Sequence, residues 1–374
     1  MATTIDVVES MRDLKRFVSF PVQLYKGNQY WVPPLRFDEL NTLRKDKNPA
    51  FECCDASYWM AYRDGLPVGR IAGIINRHYN ELWGKRHARF GWVDFVDDEE
   101  VSRELFNAVE TWASGLGMNA MHGPLGFTDM DREGMLMEGF DELGTLATIY
   151  NYPYYPAHLE RLGYCKDADW VEYHMVPPRV VPEKVERLSR AVAERYNLRC
   201  LKVKKAKEIL PYAREIFELI NKTYTELYGF VPLTERQIDS YVKQYFGFIL
   251  PEYVPIVLDK SGAVVAFGIT MPSVSKALQR SSGRLLPLGF FRLWRAMKHN
   301  DSVDLYLTAV RPDYQDKGVN AMLMYEMNVL YAGHNITGVE SNPELESNTK
   351  VQAQWRLYEG RQHKRRRCFI KHLL

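Results

Sequence analysis

One segment decides the fold prediction, and it spans residues 303–333: VDLYLTAVRPDYQDKGVNAMLMYEMNVLYAG. Over residues 303–310 apolar positions alternate with polar or small ones, which predicts a strand that stops before Pro312. From Val319 the apolar positions recur at helical spacing, which predicts an amphipathic helix. A helix N-terminus offers unpaired amides and the positive end of the helix dipole, so the turn at 315–320 is a candidate phosphate site.

Gln315, Gly318 and Asn320 give this turn a family resemblance. They stand at the spacing Gln or Arg, two residues, Gly, one residue, then Gly or Ala, and the turn resembles the acyl-CoA signature of the GNAT N-acyltransferase superfamily. Asn320 departs from the pattern, because its side chain could crowd a phosphate or donate to it. An ordinary strand, turn and helix of any α/β domain would also explain so short a motif.

The resemblance implies acetyl-CoA or a longer acyl-CoA as the co-substrate, with no metal. It places the CoA pyrophosphate on the backbone amides of the turn and the pantetheine arm against the end of the preceding strand. The cofactor-binding residues that it implies are Thr308, Val310, Gln315, Asp316, Lys317, Gly318, Val319, Asn320, Ala321 and Asn348.

The composition fits a globular chain of two domains or more, with 374 residues of which 46% are hydrophobic and 26% charged. A net charge of +2 argues against a basic nucleic-acid binder, so no nucleic-acid partner is expected. The five cysteines show no CxxC and no metal-ligand spacing, which favours a reducing, cytoplasmic location. No apolar run reaches the roughly 18 residues of a membrane-spanning helix.

The first half predicts a hairpin, a third strand, a helix and a fourth strand, in that order. These elements cover residues 57–62, 67–75, 89–96, 99–116 and 120–123. The order resembles that of a GNAT domain, and so do the helix and turn at 154–164. Residues 97–100, however, are four carboxylates where the phosphate turn would lie, and carboxylates at a helix N-terminus repel pyrophosphate. We therefore expect a degenerate domain that does not bind CoA.

The second half repeats this order after a proline-containing segment. It predicts a strand, two helices, a hairpin, the 303–333 segment and a last strand, with bounds near 198–203, 210–220, 235–246, 254–270 and 336–340. The predicted fold class is α/β (α+β), with two tandem GNAT-like domains, each a mixed, mostly antiparallel central sheet flanked by helices. The predicted divisions are a degenerate domain at 1–176, a linker at 177–185 and an acyl-CoA-binding domain at 186–374.

Two carboxylates are candidates for the general base that N-acyl transfer needs. Glu340, at the end of the last predicted strand, is the first candidate, and Asp304, on the preceding strand, is its rival. Each would also be explained as a solvated or ion-paired carboxylate. The resemblance further implies a Tyr as general acid, but the usual spacing from Asn348 falls on Trp355, so Tyr358 is the displaced candidate.

Two basic segments have alternative explanations. Residues 283–299 combine aromatic and apolar residues with four Lys and Arg residues and His299, which fits peripheral contact with a membrane, a lid over an apolar ligand, or a helix packed on the core with snorkelling Arg and Lys. The run at 361–367 could bind the adenosine phosphate of CoA, an anionic lipid or nucleic acid. For that run we expect a solvated edge strand, which needs no ligand.

The sequence therefore predicts an acyl-CoA-dependent N-acyltransferase whose C-terminal domain binds the donor and whose cleft between halves binds a small-molecule or lipid-like amine acceptor. A subsidiary hypothesis is that the acyl group or the acceptor is long-chain, because of the 283–299 segment. Two alternatives stay open at this point. One is an aminoacyl transferase similar to the Fem peptidyltransferases. The other is a catalytically inactive protein that binds acyl-CoA or has a regulatory role.

Overall fold

The computed structural model describes residues 2–373, without the side chains of residues 246, 356 and 357. The first half contains β1 (Thr4–Val7), α1 (Met11–Leu24), α2 (Arg36–Thr42), β2 (Cys54–Arg63), β3 (Leu66–Asn76), α3 (Arg77–Leu82), β4 (His87–Phe95), α4 (Glu99–Gly115), β5 (Ala120–Gly123), β6 (Met135–Glu138), α5 (Tyr155–Arg161) and β7 (Cys165–Val176).

The second half contains α6 (Glu183–Tyr196), β8 (Arg199–Cys200), α7 (Leu210–Thr223), α8 (Glu235–Tyr245), β9 (Ile256–Leu258), β10 (Val264–Pro272), α9 (Ser275–Ser281), α10 (Gly289–Lys298), β11 (Ser302–Val310), α11 (Asn320–Gly333), β12 (Gly338–Glu340), β13 (Glu344–Leu345), α12 (Thr349–Gln352) and β14 (Glu359–His372). The strand expected at 198–203 is thus shorter than predicted, and α6 begins inside the predicted linker.

All strands of the described chain join one sheet, in the order β1-β2-β3-β4-β5-β14-β7-β12-β11-β10-β9-β8, with β13 on β7 and β6 on β14. Two runs of five strands, β1–β5 and β12–β8, therefore flank a central pair. Within each run the strands are antiparallel except for one parallel pair, β4 with β5 and β11 with β12. The predicted fold class, with its mixed and mostly antiparallel sheets, is confirmed.

The two halves exchange strands at the centre of the sheet. The C-terminal strand β14 pairs with β5 and β7 of the first half, and β7 pairs in turn with β12 of the second half. Neither 1–176 nor 186–374 therefore contains a complete row of neighbouring strands by itself. The division of the chain at these positions stays a prediction, but β7 and β14 tie the halves together through backbone hydrogen bonds.

Helices cover both faces of each flanking run. On one face α4 and α5 pack on the first half through residues such as Leu105 and Leu159, and α6 and α11 pack on the second half through Val192 and Leu323. On the other face α1 covers the first half and α7 covers the second. No helix within the described residues is both long and apolar enough to cross a membrane.

The prediction that residues 361–367 form a solvated edge strand is wrong. Strand β14 lies at the centre of the sheet, and Lys364 and Arg366 are each only 1% exposed. The buried cations are neutralised across strands, because Arg366 is paired with Glu172 on β7 and Lys364 Nζ lies 3.4 Å from the Glu340 carboxylate on β12. A dense basic run is thus compatible with a buried strand when its neighbours carry the opposite charge.

Breaking the Arg366–Glu172 pair tests this arrangement. We expect Arg366→Met to lower the free energy of unfolding by about 3–5 kcal/mol, because Glu172 would stay buried without its partner. Urea denaturation followed by tryptophan fluorescence measures the change. The control Arg190→Met removes an exposed pair with Glu186 and should cost about 0–1 kcal/mol. Equal, small losses in both variants would contradict the burial of β14.

Candidate active site

The parallel strands β11 and β12 separate after a short paired stretch. Ser302 to Asp304 pair with Gly338 to Glu340, after which β11 continues to Val310 while β12 ends. Beyond this point the Tyr306 carbonyl accepts a hydrogen bond from Asn342 Nδ2 at 3.0 Å, and the Thr308 carbonyl accepts one from the Tyr224 hydroxyl at 2.9 Å. The sheet therefore opens at the level of Asp304 and Glu340, which are direct register partners.

Glu340 is surrounded by cationic and imidazole groups. Its Oε1 lies 2.8 Å from His174 Nδ1, and its Oε2 lies 2.8 Å from His363 Nε2 and 3.4 Å from Lys364 Nζ. Burial by itself would raise the pKa of Glu340, but the hydrogen bonds from both histidines and the charge of Lys364 outweigh it and hold the pKa well below its usual range. Glu340 is thus a permanent anion rather than a proton acceptor.

Asp304 has the opposite electrostatic environment. It is 2% exposed, and neither carboxyl oxygen accepts a hydrogen bond at normal distance from another described residue. Burial, followed by the nearby charge of Glu340, raises its pKa to about 7, while Ser273 and Lys364 counteract this rise only in part. A carboxyl group whose pKa lies near neutrality can both accept and release a proton under physiological conditions.

The structure brings the two predicted carboxylates together but reverses their ranking. Glu340 was the first candidate for the base, and its environment now favours an anchoring role, whereas Asp304 has the pKa of a base. Three polar neighbours of Glu340 escaped prediction: His174, His363 and Lys364. They lie on β7 and β14, and His174 alternates with the apolar residues Tyr173 and Met175 in a way that signals a buried, sided strand.

His174 and Glu340 form an imidazole–carboxylate pair. The hydrogen bond to Glu340 raises the pKa of His174, and burial opposes this only in part. We call the five residues Asp304, Glu340, His174, His363 and Lys364 the carboxylate–histidine cluster. Because they come from four adjacent strands, β11, β12, β7 and β14, the cluster depends on the strand exchange between halves.

The turn before α11 has the properties of an anion site. Asp316 and Gly318 both have positive φ, +57° and +77°, which curls residues 316–319 in front of the helix. Among the described residues, the backbone amides of 316–319 donate no hydrogen bond. Gln315 fastens the turn to the strand, because its Nε2 donates to the Val310 carbonyl at 3.2 Å. Free amides at the N-terminus of a long helix suit a phosphate group.

The remaining predicted donor-binding residues lie around this turn. Lys317 Nζ lies 5.1 Å from the centre of the Tyr314 ring, and Lys350 Nζ lies 3.3 Å from the Asp316 carboxylate. Asn348 caps α12, with its side chain accepting from the Val351 amide at 3.4 Å. Val319 is buried, whereas Asn320 and Ala321 form the first turn of α11. The binding role of these residues stays a prediction.

The corresponding turn of the first half is occupied by the chain's own groups. Asp98 accepts hydrogen bonds from the Glu100 and Val101 amides at 3.0 and 3.2 Å, and a hydrogen bond from Arg63 lowers its pKa to about 2. The edge of β4 beyond its pairing with β5 is also occupied, because the Leu125 amide donates to the Phe90 carbonyl at 2.9 Å. In this half Asp98 thus occupies two amides of the first turn of α4, and the Leu125 segment occupies the edge of β4.

Tyr358 does not join the carboxylate–histidine cluster. Its hydroxyl donates to Asn328 Oδ1 on α11 at 3.1 Å, and its ring packs with Trp355 in the core under that helix. Burial raises the pKa of Tyr358 to about 12. Val339 faces the same core, and its neighbour Glu340 points to the opposite side of the sheet. A direct role for Tyr358 beside Glu340 is therefore not supported.

One group of described side chains has the geometry of a metal site. It consists of His122, Asp167 and Cys368, whose potential ligand atoms lie within 4.8 Å of one another. The Tyr228 hydroxyl stands among them, 3.0 Å from His122 Nδ1 and 3.3 Å from Cys368 Sγ, and it also bonds Asp167. The Tyr228 hydroxyl thus already contacts all three groups, and the expectation that the protein needs no metal stays a prediction.

The architecture is that of a tandem GNAT protein. The chain superposes on a tandem GNAT protein from the clavulanic acid biosynthesis pathway with a TM-score of 0.56 and 12% identity, over 100% of this chain and 99% of the other. At that identity the likeness establishes the fold. The predicted fold, with GNAT-like domains in tandem, is therefore confirmed.

Two sequence relatives span most of the chain. Protein YghO of Escherichia coli is 29% identical over 368 residues, which cover 96% of this chain and 93% of the relative. A bacterial ceramide synthase of Caulobacter vibrioides is 28% identical over 327 residues, which cover 86% of this chain and 83% of the relative. No family model matches the sequence.

The pKa of Asp304 makes stability depend on pH. Well below pH 3.8 the carboxyl is protonated in both states, and between 3.8 and about 7 it is ionised mainly in the unfolded chain. The native state then binds more protons, so stability falls as pH rises. We expect Asp304→Asn to gain stability relative to wild type from pH 4 to pH 7, measured by urea denaturation. The exposed control Asp301→Asn should follow wild type, and a constant Asp304→Asn difference would contradict the raised pKa.

Proposed function

We propose that the protein is an acyl-CoA-dependent N-acyltransferase that acylates the amine of a lipid-like acceptor. The observation that carries the proposal is the opening between β11 and β12, which has a buried carboxyl group at its base and a turn with free amides at the other end of β11. The fold is shared with proteins that carry acyl-transfer chemistry, and one relative is named a ceramide synthase.

The turn at 316–319 is suited to the donor's pyrophosphate. Among the described residues its amides donate to no protein acceptor, and Gly318 holds the left-handed φ of +77° that curls the turn. Acyl-CoA supplies the acyl group as a thioester. The distance between the turn and the cluster is spanned by β11 itself, so the thioester end of a donor aligned with this strand reaches the level of Tyr306 and Asp304.

Asp304 is suited to removing the proton that the attacking amine must lose. The amine nitrogen forms the new bond to the acyl carbon, its proton passes to the Asp304 carboxylate, and the carbon–sulfur bond breaks. The leaving thiolate takes its proton from solvent, because Tyr358 is turned toward Asn328. Burial raises the pKa of Asp304 to about 7, and the negative charge of Glu340, which remains ionised, adds to that rise.

A long-chain acceptor is favoured by one relative and by the surroundings of the site. A ceramide is the amide of a fatty acid and a long-chain amino alcohol, and the relative from Caulobacter vibrioides is named for its synthesis. In the present chain, the insertion between β10 and β11 starts at Ser273, which neighbours Asp304. The same insertion exposes several large apolar side chains, as expected for a protein that handles amphiphiles.

The function is tested by incubating the purified protein with acyl-CoA donors and amines and identifying N-acylated products by mass spectrometry. Donors of two and sixteen carbons are paired with a sphingoid base and with a small polar amine such as glucosamine. We expect the fastest amide formation with the long-chain donor and the sphingoid base. Preference for acetyl-CoA with the polar amine would contradict the lipid-like acceptor, and no product with any pair would contradict the transferase.

The role of Asp304 predicts a defined kinetic loss. We expect Asp304→Asn to lower kcat by about 10²–10⁴-fold with a smaller change in KM, because positioned general bases contribute rate enhancements of that order. The low-pH limb of the wild-type profile should fall near pH 7. Steady-state assays across pH measure both, with the exposed Asp301→Asn as control. A variant that keeps wild-type kcat would exclude Asp304 as the base.

The donor site is tested at Gly318, which has a φ of +77°. We expect Gly318→Trp to abolish binding of a long-chain acyl-CoA in calorimetry, because tryptophan rarely adopts this φ and its Cβ would press on Val192 of α6, so the turn would change its course. The matched control is Gly65→Trp in the β2–β3 hairpin, where the φ of +73° imposes the same backbone strain but no donor is expected. Unchanged affinity in Gly318→Trp, or equal losses in both variants, would place the donor elsewhere.

A further inference from the structure

A basic pocket lies between α2 and the insertion that joins β10 to β11. It has a volume of about 450 Å³. Its lining includes four arginines, namely Arg36, Arg280, Arg284 and Arg292, and no acidic residue. Among the described residues none of these arginines forms an ion pair with a carboxylate; Arg36 Nε donates to the Ser282 carbonyl at 3.0 Å, and Arg292 donates to the Arg280 carbonyl. Four cations without counter-charges around one pocket leave a strong local positive potential.

The insertion that lines this pocket also exposes large apolar side chains, and two of them, Leu286 and Leu288, line the pocket itself. Five large side chains of the same insertion are at least half exposed: Leu286 at 79%, Leu288 at 57%, Phe290 at 64%, Phe291 at 59% and Trp294 at 50%. The alternative of a helix packed on the core with snorkelling Arg and Lys holds for one side of α10, where Leu293 is buried. An apolar cluster of this kind on a protein surface marks an interaction site.

These two features define one surface, which we call the arginine–aromatic surface. The insertion is itself firmly anchored, because Leu278 and Leu293 pack with Val32 in a separate core cluster. The Arg36 amide donates to the Gly283 carbonyl at 3.0 Å, which fixes the loop between α9 and α10 against α2. The exposed aromatic side chains therefore stand on a fixed base rather than on a free loop.

We propose that the arginine–aromatic surface docks on an anionic lipid bilayer. A bilayer offers negative phosphates at its surface and an apolar layer a few ångströms deeper, so it matches arginines and projecting apolar side chains at once. Nucleic acid would satisfy the arginines but offers no apolar layer for Leu286 and Leu288. A protein partner would have to supply carboxylates at the same place as an apolar groove.

The insertion that carries this surface is joined directly to the strand of Asp304. It leaves β10 at Ser273, whose amide donates to the Ser302 carbonyl at 2.8 Å, and returns to the sheet at β11 two residues before Asp304. Membrane docking does not depend on the transferase reaction, because it can be measured without donor or acceptor.

The test is flotation of the full-length protein with vesicles. We expect binding to vesicles of phosphatidylcholine with about 30% phosphatidylglycerol, weaker binding at high salt, and little binding to phosphatidylcholine alone. The triple variant Arg280→Gln/Arg284→Gln/Arg292→Gln should lower the partition coefficient about a hundredfold, since each arginine contributes about fivefold. A second triple variant, Phe290→Ser/Phe291→Ser/Trp294→Ser, should lower it as well, and all three side chains are exposed.

A control variant that loses the same charge elsewhere distinguishes binding through this surface from an effect of net charge. Arg187→Gln/Arg190→Gln/Arg195→Gln removes three exposed arginines of α6 and should leave binding within about twofold of wild type. The proposal is overturned if wild type does not float with anionic vesicles, if the α6 variant loses as much binding as the pocket variant, or if the serine variant binds as wild type does.

Discussion

The structure depends on the charge balance of its central strands. Strand β14 brings Lys364 and Arg366 into the middle of the sheet, where water cannot stabilise them, and Glu172 and Glu340 on β7 and β12 supply the opposite charges. A buried charge without its partner is costly, so β14 is stable at this position only in this register and beside these neighbours. The same ion pairs that hold the strand in place also assemble the candidate site, since Glu340 belongs to both.

This coupling explains why two similar halves have different properties. In the second half the parallel pair β11 and β12 opens at two carboxylates, and the turn before α11 leaves its amides free. In the first half the Glu100 and Val101 amides donate to Asp98, and the strand edge is filled by the segment that carries Leu125. The first half instead supplies β7, and with it His174, to the site of the second. Under the proposed function the tandem arrangement serves one site rather than two.

Local patterns in the sequence predicted the elements that position the site. The change of period near Val319 located β11, the turn and α11, and the four carboxylates at 97–100 identified the half that lacks an open phosphate turn. Pairing between β14 and β5 could not be predicted, because strands more than 200 residues apart in sequence leave no local signal of their contact. Lys364 and His174 were missed for the same reason: a charged residue in a strand is expected to face solvent until its neighbours are known.

The stoichiometry of donor binding is the most direct test of the claim that only the second half holds an acyl-CoA. Titration calorimetry of the wild-type protein with a non-hydrolysable long-chain acyl-CoA analogue measures it. One molecule bound per chain is the predicted result. Two bound molecules would show that the turn at 97–100 also accepts a pyrophosphate, and no binding at high micromolar concentration would contradict the acyl-CoA site altogether.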